Sequence, residues 1–236
     1  MSSVLMQNPA TTYAVEVWLS DGSPESGDTV AAACLTPAER QLAARLLSTD
    51  RRRSFEIARW LAKQAVMSLL GLGRETRHQI EILSEDPTGV TSRPLVYVDG
   101  VPVDLHISIT HLEQTVAVAV TNSCNTVGID LAHVKSVTSG FAAVWMNDNE
   151  QHQIDKSDDP ALTAAMNWST REATFKATGT EDEFRPARWS VTFNGDRAVC
   201  FYQGQQQPVQ LSFYRISQNL LLTVASDGTN VTFRSL

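Results

Sequence analysis

Apolar positions in the first half of the chain alternate or recur in ways that predict strands and helices. Thr12 to Leu19 alternates apolar and polar residues, which is typical of a half-buried strand. Thr36 followed by Pro37 and Glu39 predicts a helix start with a capping box. A longer helix is predicted from about Asp50 to Leu70, ending at the next glycine. Its apolar positions recur at helical spacing: Phe55, Ala58, Leu61, Ala65 and Leu69.

The rest of the chain predicts short strands and one further helix. Short apolar segments predict strands at Gln79–Leu83, Leu105–Thr110, Thr115–Thr121 and Val127–Leu131. A helix is predicted from Asp159-Pro160 to about Thr178. Strands follow at Arg188–Phe193, Ala198–Tyr202, Val209–Arg215, Leu220–Ala225 and Val231–Arg234. Asn194-Gly195 predicts a hairpin turn between the first two of these. The whole pattern predicts an α+β fold, with a subdomain border at the polar segment Asn122–Asn125.

Composition narrows the class of protein. The 236 residues are 42% hydrophobic, which predicts a folded chain of one large or two small domains. A net charge of -7 argues against a nucleic-acid or anionic-membrane partner. Three widely spaced cysteines predict neither a disulfide framework nor a metal site. With no signal peptide and no apolar run long enough to span a bilayer, we expect a cytoplasmic protein.

Basic residues concentrate on the predicted helices of the first half, against the overall charge. Seven lie in this stretch: Arg40, Arg45, Arg51, Arg52, Arg53, Arg59 and Lys63. At 100° per residue, Arg52, Arg59 and Lys63 fall together on the side opposite the apolar stripe. This face is either a solvated helix surface or an anion site, since guanidinium groups bind phosphates with two hydrogen bonds.

The predicted helix of the second half carries Trp168, Glu172 and Lys176. These residues are spaced four apart and form one stripe, so Glu172 and Lys176 can be an ordinary helix ion pair. Asp130 offers another interpretation, because it lies in an apolar strand, where a charge requires a partner or a cation. Two carboxylates converging from a strand and a helix could hold magnesium, with Lys176 beside it for a phosphate.

Other candidate residues are uninformative one at a time. His111 ends a strand, where a histidine can be structural or a general base. Arg93-Pro94 precedes an extended segment. The chain has no glycine-rich phosphate loop, no nucleophile elbow and no H-E-x-x-H zinc motif. Any bound phosphate must therefore be held by side-chain cations.

Taken in order, these elements resemble the surfactin-type 4′-phosphopantetheinyl transferases of the holo-acyl-carrier-protein synthase superfamily. The segment Val127–Leu131 resembles the family's V-G-I-D-I element, and Trp168–Gly179 resembles its W-x-x-K-E-A-x-x-K-x-x-G. Thr110-His111 is similar to the end of its I-S-H element. Weaker matches complete the set: Arg93-Pro94 with G-K-P, Ala58-Arg59 with A-R, and Phe141–Glu150 with F-x-x-x-E.

The resemblance implies a fold of two similar α+β subdomains related by a pseudo-two-fold axis, with the cofactor site between them. Residues 1–122 would form the N-terminal subdomain, which binds the phosphates of coenzyme A. Residues 123–236 would form the C-terminal subdomain, with the metal site and a β-rich tail. Asp130 and Glu172 would bind Mg²⁺ and, with Lys176, would be the catalytic residues. The coenzyme A contacts would be Arg59, Arg93, Thr110, His111 and Lys176.

The implied activity is transfer of 4′-phosphopantetheine from coenzyme A to a serine of an acyl or peptidyl carrier protein. Such carriers serve fatty-acid, polyketide or nonribosomal-peptide biosynthesis, and 3′,5′-ADP is released. The chain departs from the family at Ala132, where a second acid is usual. One alternative is a non-catalytic member of the fold that binds coenzyme A or a carrier protein. Another is an unrelated α+β protein that binds an acidic partner through the basic helix. Two fused halves imply a monomer.

Overall fold

The structure is a computed structural model that describes residues 14–20, 28–85, 91–122, 126–135, 139–179, 183–194, 197–228 and 230–235. Within these ranges the chain forms six α-helices and 13 strands, so the predicted α+β class is confirmed. The predicted border at Asn122–Asn125 and the Asn194-Gly195 turn lie partly outside the described residues. No described helix is long and apolar enough to cross a membrane.

The elements of the two halves follow the same order along the chain. The first half forms β1 (Ala14–Ser20), α1 (Asp28–Ala33), α2 (Pro37–Arg45), α3 (Thr49–Leu70), β2 (Ile80–Glu85), β3 (Thr91–Val98), β4 (Val101–Val103), β5 (Leu105–Leu112) and β6 (Thr115–Asn122). The second forms β7 (Val127–His133), α4 (Ser139–Trp145), α5 (Asp148–Asp155), α6 (Pro160–Thr178), β8 (Trp189–Asn194), β9 (Arg197–Tyr202), β10 (Gln205–Gln206), β11 (Gln210–Ser217) and β12 (Leu220–Ser226). A last strand, β13, covers Asn230–Ser235.

Strand pairing repeats as well. In the first sheet β6 lies between β1 and β5, and in the second β12 lies between β7 and β11, with antiparallel pairs throughout. The three-stranded sheet β2-β3-β4 corresponds to β8-β9-β10. β13 breaks the symmetry, because it pairs in parallel with β1 and so extends the first sheet. The boundary between residues 122 and 123 stays a prediction.

The core consists of two helices on the outside of two facing sheets. One cluster joins α3 to the first sheet through Trp18, Leu61, Val66, Val116, Val118 and Val120. A second joins the two sheets through Val15, Val17, Ala117, Ala119, Ile129, Leu131, Leu222 and Val224. A third joins α6 to the second sheet through Ala173, Ala177 and Ala225. This stacking fixes β7 between the first sheet and α6.

A buried ion pair in the first half is built on the predicted capping box. Thr36 and Glu39 form that box at the start of α2, which confirms the prediction. Glu39 Oε2 accepts the Thr36 N–H at 2.9 Å, and Oε1 accepts the Ile82 N–H at 2.9 Å. Lys63 Nζ lies 2.7 Å from Glu39 Oε2 and donates to the Cys34 carbonyl at 2.6 Å. Every polar atom of the glutamate is therefore paired in the interior.

The second half repeats this arrangement at equivalent places. Asn147 and Glu150 form a capping box at the start of α5. Glu150 accepts the N–H of Asn147 through Oε2 and the N–H of Val191 through Oε1. Arg171 on α6 pairs with Glu150 and donates to the carbonyl of Trp145, two residues before the cap. The matching pairs support a structure of two related halves.

These contacts correct one interpretation of the basic helix. Arg59 and Lys63, placed by the sequence on a solvated face or at an anion site, are buried within the first half. Arg52, on the same helix face, is exposed. The solvated-face interpretation is therefore wrong for Arg59 and Lys63, and the partner of Lys63 is a protein carboxylate. The spacing of 100° per residue gave the correct helix face but not its exposure, because α2 and β2 cover that side of α3.

Candidate active site

A glycine brings β7 and α6 into direct contact. A Cβ atom at Gly128 would lie 2.0 Å from the Ala173 carbonyl oxygen and 2.4 Å from the Ala177 nitrogen. Both are helix backbone atoms that cannot give way, so only glycine allows this approach. Asp130 is two residues further along β7 and therefore lies on the same face, towards α6. The V-G-I-D element thus places a carboxylate against the helix that carries Glu172.

Asp130, Lys176 and Glu172 meet where β7 faces α6. Lys176 Nζ lies 2.7 Å from Asp130 Oδ1 and 3.6 Å from Glu172 Oε2, and it donates to the Ile129 carbonyl at 3.2 Å. Asp130 is buried, whereas Lys176 and Glu172 are partly exposed. The strand and the helix therefore converge as the sequence suggested, with an ammonium group joining two carboxylates at the protein surface.

Burial changes the acidity of both carboxyl groups. Burial raises the pKa of Asp130, while the Lys176 ammonium and the Thr110 hydroxyl oppose that shift. Burial also raises the pKa of Glu172; Lys176 opposes this shift, and the nearby negative charge of Asp130 adds to it. A carboxylate with a raised pKa is a stronger proton acceptor. Glu172 is the more exposed of the two carboxyl groups and is therefore the one that a substrate can reach.

Two hydroxyl groups of β5 bind the free edge of β7. β7 is the last strand of its sheet, so the N–H groups on its outer edge have no strand partner. The Ser108 hydroxyl accepts the Ile129 N–H at 3.0 Å, and the Thr110 hydroxyl accepts the Leu131 N–H at 3.3 Å. Thr110 also donates to Asp130 Oδ1 at 3.3 Å. The first half of the chain thus contacts the acid of the second half directly.

His111 follows Thr110 and is exposed at the end of the same strand. Partial desolvation lowers its pKa, and the positive charges of Lys176 and Arg51 lower it further. The lowered pKa of His111 favours the neutral ring. His111 therefore lies within electrostatic range of Lys176, whereas its neighbour Thr110 contacts Asp130 directly.

Arg93 reaches from β3 to the end of α6. Its Nη2 donates to the Ala177 carbonyl at 3.0 Å, in the last turn of the helix, where cations are favoured. Burial of its side chain lowers the pKa of Arg93. Arg93 and Lys176 both line a groove of about 230 Å³, whose walls include Leu95, Val103, Leu105 and Val127. The groove therefore has cationic groups beside an apolar wall.

Arg59 has a different environment. Its guanidinium donates to the Ser84 hydroxyl at 2.9 Å and lies 4.2 Å from the centre of the Phe55 ring. Burial lowers its pKa to about 10, and the charge of Glu39 opposes that shift. The contacts of Arg59 within the described residues hold it inside the first half. Arg59 is therefore a predicted site residue that these contacts hold away from the cluster.

Aromatic side chains extend the site along the stripe that Trp168 begins. The Trp168 ring contacts Phe141 at 5.4 Å, Trp145 at 6.0 Å and Phe184 at 5.9 Å between ring centres, each edge to face. Phe141 and Trp145 belong to α4, and both are partly exposed. Glu172 lies one helical turn from Trp168, so this aromatic surface lies beside Glu172 on the same face of α6.

The oxygen donors suit a hard divalent cation. Asp130 and Glu172 are carboxylates from two elements, and magnesium in proteins is often bound by one or two carboxylates with waters and substrate phosphates completing its shell. No group of three or more histidine, cysteine, aspartate or glutamate residues that could hold a metal occurs in the described ranges. Ala132 is buried against Ala165 and Leu221 and offers no third carboxylate. The residues present therefore fit magnesium with two protein ligands.

Sequence reasoning missed two parts of this arrangement. Ser108 was not singled out, although the alternation of Ser108 and Thr110 puts both hydroxyls on one face of β5. The pairing of Glu150 with Arg171 was also missed, although each residue lies in a segment that resembles a family motif. Glu150 and Arg171 belong to different helices, and no local feature of the sequence shows that they will meet.

Comparison with protein-family models finds a match over most of the second half of the chain. The 4′-phosphopantetheinyl transferase superfamily model matches residues 126–225. The matched stretch contains Asp130, Glu172 and Lys176 and starts after β5, which carries Thr110 and His111. No curated protein matches the chain. The finer resemblance to surfactin-type transferases stays a prediction.

Proposed function

We propose that the protein transfers the 4′-phosphopantetheine group of coenzyme A to a serine of an acyl or peptidyl carrier protein. The observation that carries the proposal is the meeting of Asp130 and Glu172 at Lys176. All three lie within the stretch that matches the transferase superfamily. An ordinary ion pair between Glu172 and Lys176 on one helix does not require a buried aspartate from a separate strand.

Asp130 and Glu172 are the proposed magnesium ligands. The cation would supply Lewis-acid stabilisation of the pyrophosphate charge. Lys176 now contacts both carboxylates, and its ammonium would instead donate to a phosphate oxygen when coenzyme A is bound. Phosphoryl transfer depends chiefly on positioning and charge neutralisation, and this cluster provides both.

The reaction requires that a bond forms between the carrier serine oxygen and the β-phosphorus of coenzyme A. The bond from that phosphorus to the bridging oxygen breaks, and 3′,5′-ADP leaves. Glu172 would accept the serine proton, because it remains partly exposed beside Lys176, where a substrate hydroxyl can reach it. Lys176 would neutralise the charge on the leaving oxygen.

The first half would bind the nucleotide. We propose that Arg59, Arg93 and His111 contact its phosphates. Thr110, which also donates to Asp130, would lie near the nucleotide. Arg93 is supported by the groove that it lines with Lys176, and His111 is supported by its electrostatic interaction with Lys176. Arg59 is supported only by the resemblance of its segment. In this arrangement residues 1–122 supply the nucleotide contacts and residues 123–236 supply the metal ligands.

The test is the intact mass of carrier proteins. Purified protein is incubated with coenzyme A, Mg²⁺ and a panel of apo carriers. Gain of the phosphopantetheine mass, lost when EDTA is added, is the expected result. A matched reaction in which the carrier serine is replaced by alanine should show no gain. A panel in which no carrier gains mass would reject the proposed activity.

A second candidate is a coenzyme A- or carrier-binding protein without transferase activity. Two observations favour it: Ala132 removes a usual acid, and Lys176 already neutralises both remaining carboxylates. This protein would bind coenzyme A in calorimetry yet leave carriers unmodified. Replacing Ala132 with glutamate would then be the first change to restore transfer.

A further inference from the structure

Besides Thr110, a second hydroxyl group of β5 contacts β7 at the candidate site, and it belongs to Ser108. Ser108 is buried on β5, two residues before Thr110. We infer that Ser108 is a positioning residue for Asp130, acting through the backbone of Ile129. This inference rests on the proposed function, since it assigns Ser108 to the same reaction.

The bond from Ile129 fixes the strand immediately before the acid. The Ile129 N–H donates to the Ser108 hydroxyl at 3.0 Å, whereas its carbonyl accepts from Lys176 at 3.2 Å. One residue therefore connects a hydroxyl of the first half to the lysine of the second. Asp130 is the next residue, so any shift of this peptide moves its carboxylate. Such a shift also moves the carbonyl that holds the ammonium.

The neighbouring hydroxyl fixes the other side of the same residue. Thr110 binds the Leu131 N–H and donates to Asp130 Oδ1. Ser108 and Thr110 thus hold Asp130 from both flanking residues. They replace the strand partner that the edge of β7 lacks. Removing the Ser108 hydroxyl leaves the Ile129 N–H unpaired in a buried place, which favours movement of β7.

The test compares three variants with the wild-type protein. Ser108→Ala removes the hydroxyl, and Ser108→Thr keeps it on a residue that suits a strand. Ser226→Ala is the matched control, because Ser226 is equally buried and its hydroxyl accepts the Gly228 N–H at 2.9 Å, away from Asp130. The readouts are melting temperature, Mn²⁺ affinity with coenzyme A present, and kcat and KM for transfer to a carrier.

We expect Ser108→Ala to bind Mn²⁺ about tenfold more weakly and to lose about tenfold in kcat, with KM for coenzyme A unchanged. Its melting temperature should fall further than that of Ser226→Ala, because the Ile129 N–H is the more deeply buried donor, and Ser108→Thr should restore both functional values. Equal Mn²⁺ affinity and kcat in Ser108→Ala and Ser226→Ala would overturn the positioning role. A wild-type protein that modifies no carrier would instead refute the proposed function.

Discussion

At the scale of single residues, the site depends on one ammonium group between two carboxylates. Lys176 contacts Asp130 and Glu172, and thereby neutralises groups that would otherwise repel each other. The same contacts place Lys176 in competition with a divalent cation for the two acids. Binding of coenzyme A would resolve the competition by giving the ammonium a phosphate partner. We therefore expect metal and coenzyme A to bind cooperatively.

Replacing Lys176 with methionine should strengthen metal binding and abolish transfer. Without coenzyme A, the variant should bind Mn²⁺ about tenfold more tightly, because a competing positive charge has been removed. Paramagnetic resonance of free Mn²⁺ measures this affinity. Lys156→Met, at an exposed lysine after α5, is the control and should bind as the wild type does. Unchanged or weaker binding in Lys176→Met would contradict the competition.

The sequence predicted which charged residues form this cluster, but it did not predict the residues that hold them in place. Asp130 and Glu172 were expected together because an acid inside an apolar strand requires a partner and because the segments resemble a family. Ser108 was missed, since a serine in a strand gives no sign of which N–H it will bind. Lys63 was placed on the wrong surface, since its partner Glu39 comes from another helix. Such contacts depend on packing between distant elements.

At the scale of elements, the contact of β7 with α6 places the acids. Gly128→Ala should destabilise the protein, because the added methyl would meet helix backbone atoms. We expect a loss of about 1–3 kcal/mol in the free energy of unfolding, measured by urea denaturation. Gly140→Ala is the control, since a Cβ there meets no atom within 4 Å and alanine favours the helix. Equal stabilities of the two variants would contradict the close packing.

The buried pair between α2 and α3 gives a second prediction at this scale. Lys63→Met leaves the fully buried Glu39 without its cation, which should cost about 3–5 kcal/mol of unfolding free energy. Adding Glu39→Gln should recover part of that loss, because the uncompensated charge is removed. Denaturant titration of the single and double variants measures both values. A single variant as stable as the wild type would show that the pair is not buried as described.

At the scale of the whole molecule, two halves of the same topology meet between β5 and β7. The order of elements and the paired capping boxes repeat, as the resemblance implied. Capping signals and periodicity along the chain predicted three of the six described helices, α2, α3 and α6, and most strands of the tail, since these depend on local residues. The return of β13 to β1 was not predicted, because it joins the two ends of the described chain.

The return of β13 predicts that the end of the chain stabilises the first half. A chain ending at residue 228 exposes the edge of β1, so its melting temperature should fall by at least about 4 °C. Differential scanning calorimetry of the shortened and full chains measures the change. An unchanged melting temperature would show that β13 contributes little to the first sheet.

The most direct test of the account compares Asp130→Asn and Arg93→Ala in the carrier-mass assay. With coenzyme A and Mg²⁺, the wild type should add phosphopantetheine to a carrier, and Asp130→Asn should lose at least about 100-fold in kcat. Arg93→Ala should mainly raise KM for coenzyme A. Circular dichroism should show that both variants fold. Transfer by Asp130→Asn at the wild-type rate would contradict the assignment of the site.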